Sequence, residues 1–237
     1  MHTPVQPPPN QFLQSLSFGD FELLRPHLKN VKLELSTVLF DAGGVIDRVY
    51  FPHTGVISLV VLLSAGDMIE AGMVGRDGAA GTSAALDGAV SLNRAVVQIP
   101  GVCSTIEIQP MRAAVTASKS LRVKLYEHDQ MLLVQAQQSA ACNAKHQIEE
   151  RLCRWLLRTR DLVQSDTIEL TQEFLAQMLG VRRTSVTLAA RHLQAVNLIK
   201  YRRGHIQILD EEALQEASCE CYEAVKSQVM RLQARAH

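Results

Sequence analysis

Long apolar runs are missing from this sequence. Its most hydrophobic stretch, Val56 to Ala65, is broken by Ser58 and Ser64, and a membrane span needs roughly 18 uninterrupted apolar residues. A soluble chain is therefore expected. The N-terminus, Met1 to Asn10, is proline-rich and lacks the basic start and apolar block of a secretory signal, which points to the cytoplasm. Disulfide chemistry is not indicated either: the 5 cysteines, Cys103, Cys142, Cys153, Cys219 and Cys221, are odd in number and follow no framework spacing. No Ser/His/Asp arrangement, Gly-Lys-Ser phosphate loop or metal-ligand pair stands out, so an enzyme is not expected. Net charge is absent too, at +0 overall.

That zero conceals an uneven distribution. Residues 145–208 carry 11 Lys+Arg against 6 Asp+Glu, a local +5, while residues 1–144 come to −2 and the remaining tail to −3. A basic segment inside a neutral protein is what contact with phosphates requires, although a solvated helical surface gives a similar count. With 237 residues, 47% of them hydrophobic, the chain is long enough for two domains.

The order of elements separates those domains. Phe12, Leu16, Leu23, Leu24 and Leu28 recur at helical intervals, with Asn30 as the expected stop. Short runs rich in β-branched and aromatic residues follow: Lys32 to Leu35, Val49 to Phe51, Gly55 to Leu63, Ile69 to Val74, Ala95 to Ile99 and Ser104 to Ile108. Glycines and prolines punctuate them, so a roll or barrel is predicted. From Met111 to about Val163 proline and glycine vanish and helix formers dominate. Within this stretch Leu121, Leu125, His128, Leu132, Gln135, Ser139 and Cys142 alternate at intervals of four and three. That spacing serves equally a coiled-coil seam between two chains and a helix packed on its own β domain. A second helix is expected from near Lys145.

The segment Glu169 to Thr187 is the most informative. Thr171 is a good N-cap, Phe174, Leu175, Met178 and Leu179 give a short helix its apolar face, and Gly180 permits a left-handed turn. Val181 plugs the space between helices. A second helix from about Arg182 displays Arg182, Arg183, Thr184, Ser185 and Thr187 early and Arg191 later, while Val186, Leu188, Ala189 and Leu193 are read as its inner face. This is a helix-turn-helix, whose second helix enters the major groove of duplex DNA. Lys200 to Ile208 reads as strand, tight turn and strand, a wing on which Arg202 and Arg203 would meet the sugar-phosphate backbone.

The order β-roll, long helix, Thr171 to Gly180, Val181 to Thr187 and wing resembles the Crp/Fnr family over nearly the whole chain. The resemblance implies an α+β fold: an N-terminal double-stranded β-helix or β-roll, jelly-roll-like, then a long central dimerisation helix and a C-terminal winged helix-turn-helix. The divisions are a flexible arm at 1–10, a cyclic-nucleotide-binding-like sensor at 11–115, the dimerisation helix at 116–144, the DNA-binding domain at 145–209 and a helical extension at 210–237. It implies a homodimer joined through Thr116 to Asn143, with Leu121, Leu125, His128, Leu132 and Gln135 at the interface. Double-stranded DNA bearing a near-palindromic operator, RNA polymerase and an unknown small-molecule effector are the implied partners.

This chain departs from the family pattern at informative places. Arg183 holds the position of the common recognition arginine, but Thr184 stands where a glutamate often follows and Leu188 where a later arginine lies, so a different operator is expected. Cyclic-nucleotide members hold the ribose with a Gly-Glu-Leu turn and the phosphate with Arg-Ser-Ala or Arg-Thr-Ala. Here the corresponding segments are Gly78-Ala79-Ala80-Gly81 and Asn93-Arg94-Ala95, which does not support cyclic AMP, although Arg94 remains the candidate contact for an anionic effector. The N-terminal cysteine cluster of iron-sulfur members is absent, since Cys103 is the first cysteine, and the scattered histidines nominate no haem ligand. Cys219-Glu220-Cys221-Tyr222 supplies half a zinc site; helix packing is the reading taken for it, with no metal and no cofactor assigned. The reading that results is a DNA-binding transcription regulator. Its alternative is a ligand-binding or protein-interaction module with no specific DNA target.

Overall fold

The computed structural model describes residues 6–88, 90–202 and 204–234. Two short helices, α1 (Gln11–Gln14) and α2 (Phe18–Leu24), lead into seven strands. These are β1 (Lys29–Leu33), β2 (Val38–Phe40), β3 (Arg48–Pro52), β4 (Val56–Leu62), β5 (Met68–Val74), β6 (Arg94–Ile99) and β7 (Gly101–Glu107). Helices α3 (Ile108–Ala117), α4 (Lys119–Lys145) and α5 (Ile148–Val163) follow. The chain continues through β8 (Thr167–Glu169), α6 (Gln172–Leu179), α7 (Arg183–Ala195), β9 (Ile199–Arg202), β10 (His205–Ile208), α8 (Glu211–Glu216) and α9 (Cys221–Ala234). The expected α+β class and order are observed. Among the described residues no helix is long and apolar enough to cross a membrane.

Two expected boundaries shift. The N-terminal helix is interrupted because Ser17 caps a new one, accepting from the Asp20 amide at 3.1 Å. Asn30 is no helix stop: it lies within β1, opposite Ser104 of β7. The antiparallel sheets have orders β1-β7-β3 and β2-β6-β4-β5, and β7 runs against β1 from Lys29↔Thr105 to Leu33↔Gly101.

The chain divides into two compact units, one comprising residues 1–58 and 74–129, the other 59–73 and 130–237. The core of the first unit gathers Phe12, Leu13, Leu24, Val49, Phe51, Ile106 and Met111 with Leu121 and Leu125 of α4. Asp20 is buried there, and its carboxylate accepts from Ser118 at 2.5 Å and Ser120 at 2.8 Å, fixing α2 to the α3–α4 junction. Asn10, expected at the end of a flexible arm, is fully buried. Its Oδ1 caps α1 through the Leu13 amide at 3.1 Å, and its Nδ2 donates to the carbonyls of Pro52 and Gly78 at 2.8 and 2.9 Å.

Leu121, Leu125 and His128, expected to meet a partner chain, are all buried within their own unit. Leu132 and Gln135 are half-buried, and the Gln135 side chain accepts from the Met73 amide at 3.2 Å. A different stripe of α4 faces outward. Val123, Tyr126, Gln130, Leu133, Gln137, Ala140 and Ala144 are all exposed, at the same alternation of three and four. Pattern alone could not choose between these faces, because both carry the repeat.

Replacing Asn10 with alanine removes a helix cap and leaves two buried carbonyls without their donor. We expect a loss of about 2–3 kcal/mol in unfolding free energy, measured by urea denaturation.

Candidate nucleic-acid interface

Within the second unit, α5 is the scaffold on which the helix-turn-helix is built. It opens with a reciprocal cap between Gln147 and Glu150, the Glu150 carboxylate accepting from the Gln147 amide at 2.8 Å. Leu152, Trp155, Leu156 and Leu157 are buried. Arg151 is buried as well and donates through Nη2 to the carbonyl of Leu179, the last residue of α6. A cation at a helix C-terminus satisfies an orphan carbonyl and matches the negative end of the dipole. Burial lowers the Arg151 guanidinium below its ordinary value.

The predicted motif forms as expected. Thr171 caps α6, its hydroxyl accepting from the Phe174 amide at 3.2 Å. Gly180 ends the helix at φ +63°, and the Val181 amide returns to the Ala176 carbonyl at 3.0 Å. Arg182 is the N-cap residue of α7, whose buried face comprises Val186, Ala189, Ala190 and Leu193. The opposite line at helical spacing is Thr184, Leu188, Arg191 and Ala195, all exposed, and Arg182 and Arg183 are exposed at the helix start. Ser185 is half-buried. The Thr187 hydroxyl is engaged inside the motif, 2.8 Å from Gln172 Oε1 and 3.0 Å from the Arg183 carbonyl.

Leu188 is 65% exposed, so it does not belong to the inner face on which sequence periodicity put it. Its exposure, not its residue type, reveals this.

The wing is an antiparallel sheet of order β8-β10-β9, with His205 opposite both Glu169 and Arg202. Ile199, Ile206 and Ile208 anchor it to the core, and the Tyr201 hydroxyl donates to the Leu170 carbonyl at 3.2 Å. Lys200 and Arg202 are exposed on β9; Arg203 lies outside the described residues. His192 does not add to the basic surface in isolation, because Glu149 lies 3.0 Å from its Nδ1.

The segments at which an effector was expected lie in the first unit. Ala79 and Ala80 are fully buried. His128 covers this turn: its Nε2 lies 2.8 Å from the Ala79 carbonyl and 3.2 Å from the Ala79 amide. A Cβ built on Gly78 would come within 2.5 Å of the imidazole. Burial lowers the pKa of His128, favouring its neutral form. Arg94 begins β6 on the surface and holds Asp41 in a two-pronged ion pair at 2.7 and 3.0 Å.

These elements define a winged helix-turn-helix protein with an N-terminal β-sheet domain and a long connecting helix. Residues 150–217 match the model of the Crp-like helix-turn-helix domain, and the chain has the fold of the Crp/Fnr regulators. FixK2 from Bradyrhizobium japonicum is similar with TM-score 0.70 at 15% identity, over 81% of this chain and 98% of that one. The c-di-GMP responsive global regulator CLP of Xanthomonas campestris gives TM-score 0.67 at 14% identity, over 82% of this chain and 100% of its own. A CRP/FNR-family transcriptional regulator from Thermus thermophilus gives 0.66 at 22%, over 80% and 98%. No curated protein matches the chain significantly by sequence.

A side chain at Gly180 would adopt a left-handed conformation and press on Ile69 at 3.2 Å. We expect Gly180→Ala to destabilise the helix-turn-helix by about 1–2 kcal/mol, seen as a lower melting temperature in calorimetry.

Proposed function

We propose that this chain is a DNA-binding transcription regulator that acts as a homodimer on a near-palindromic operator. The observation that carries the proposal is the outward line of α7, Thr184, Leu188 and Arg191, with Arg182 and Arg183 at the helix start, all of them exposed. Arginine presents two parallel donors to guanine, while threonine and leucine suit base edges and methyl groups. The positive end of α7 and the wing residues Lys200, Arg202 and Arg203 suit phosphates. Thr171 and Thr187 support the interface by fixing α6 and α7. A binding role, not catalysis, follows from this chemistry.

The dimer reading is supported by the exposed stripe of α4, in which Val123, Tyr126 and Leu133 are each about half exposed. Apolar side chains at heptad spacing on an open helix face are suited to the same face of a second copy. Cyclic AMP is not the effector in this reading: the segment at the place of the ribose turn has no carboxylate, its alanines are buried, and Arg94 is engaged by Asp41.

Purified full-length protein is expected to bind a fragment of its own upstream region in fluorescence anisotropy. The slope of log K against log salt should be roughly −5 to −9, as for 6–10 phosphate contacts. Arg183→Ala should weaken specific binding by about 1–3 kcal/mol. Weak, salt-insensitive binding to every DNA tested would instead favour a protein-interaction module. Saturating cyclic AMP should leave operator affinity unchanged; a nucleotide requirement would overturn the effector reading. Leu133→Glu should shift sedimentation from dimer to monomer, because a charge would be buried at the centre of the seam.

A further inference from the structure

The Cys-X-Cys pair at 219 and 221 supplies only two ligands in the sequence, but the fold brings two more to it. Cys142 and His146, one turn apart on the last turn of α4 and the residue after it, meet Cys219 in the link before α9 and Cys221 at its first residue. One donor atom from each of the four lies within 4.8 Å of all the others. Cys142 Sγ is 3.5 Å from Cys219 Sγ, and Cys221 Sγ is 3.5 Å from His146 Nδ1. We infer that Cys142, His146, Cys219 and Cys221 form a tetrahedral binding site for a zinc ion.

The spacing fits a single ion. Zinc bonds of about 2.3 Å to sulfur and 2.0–2.1 Å to nitrogen place neighbouring ligand atoms about 3.5–3.8 Å apart. An iron-sulfur cluster, with several irons and sulfides between its thiolates, needs a wider arrangement than this. Three sulfurs and an imidazole are also the soft and borderline donors that select zinc over magnesium or calcium.

The groups around the donors are arranged as a zinc site requires. His146 Nε2 is 3.1 Å from the Glu220 carboxylate. A proton held there leaves the Nδ1 lone pair directed toward the thiols, as in a carboxylate–histidine–zinc arrangement. Gln138 Nε2 donates to Cys221 Sγ at 3.0 Å. Among the described residues Cys142, Cys219 and Cys221 form their own buried cluster; core packing alone gives no reason for a histidine, a glutamate and a glutamine to converge there.

The donors flank the matched helix-turn-helix segment, 150–217, on both sides. A bound ion would tie the end of α4 to the link between α8 and α9, across the bend that precedes α5. The site stands independently of whether the chain reads DNA.

The test uses full-length protein purified with its thiols reduced. Elemental analysis should find one zinc per chain. Cobalt replacing it should give the intense visible bands of tetrahedral coordination with thiolate-to-cobalt charge transfer. Cys219→Ser and His146→Gln should each weaken metal binding at least tenfold, and the cobalt bands should shift or vanish; Cys153→Ala, outside the cluster, should leave them intact. Glu220→Ala should lower zinc affinity about 10-fold while thiolate charge transfer persists. His146 is at the edge of the cluster, so its variant remains informative if a cysteine variant does not fold. Absence of both zinc and cobalt charge transfer with all thiols titratable overturns the site. So does a Cys142–Cys219 disulfide whose reduction restores no metal binding.

Discussion

The helix-turn-helix depends on one buried cation. Arg151 projects from α5 to the carbonyl that ends α6, at the point where Gly180 turns the chain toward α7. Removing a guanidinium from water is costly unless its donors are used, and its Nε has no hydrogen-bond partner among the described residues. The compensation is the carbonyl at the negative end of α6, to which its Nη2 donates.

The first unit shows the same economy of side chains. His128 has the spacing of a dimer seam, yet it is buried against the Gly78–Gly81 turn and the Phe12 ring, 5.5 Å from it centre to centre. The small residues at Gly78, Ala79 and Ala80 make room for that imidazole, and the absence of a carboxylate from the turn goes with the presence of the histidine over it. A helix 27 residues long can present two heptad stripes. Here one is buried at Leu121, Leu125 and His128 and half-buried at Leu132 and Gln135, and the other is left outward.

Identities of 14–22% to solved structures of the same fold are compatible with close structural likeness because the fold asks for classes of residue at fixed periods. Aliphatic side chains on the inner faces of α5, α6 and α7, a cap at Thr171, a left-handed turn at Gly180 and isoleucines alternating along the wing meet those demands. In the proposed reading, specificity is held by fewer positions. Thr184 and Leu188 on the outward line differ from the pattern that the resemblance led one to expect, and a change of operator needs no change in the core.

Much of the architecture was legible in the sequence. The strands and turns were marked by β-branched runs between glycines, the helical stretch by the loss of proline and glycine, and the recognition motif by Thr171, Gly180, Val181 and the arginines that follow, because these signals act over a few neighbouring bonds. Three features were decided only in three dimensions. Which stripe of α4 is open depends on what covers the other. Whether Leu188 is core or surface depends on where α5 lies. Whether Cys219 and Cys221 are half a site or part of a whole one depends on Cys142 and His146, more than seventy residues away along the chain. Local sequence determines backbone preference and periodicity; burial and the meeting of distant donors are properties of packing, which no short window of residues contains.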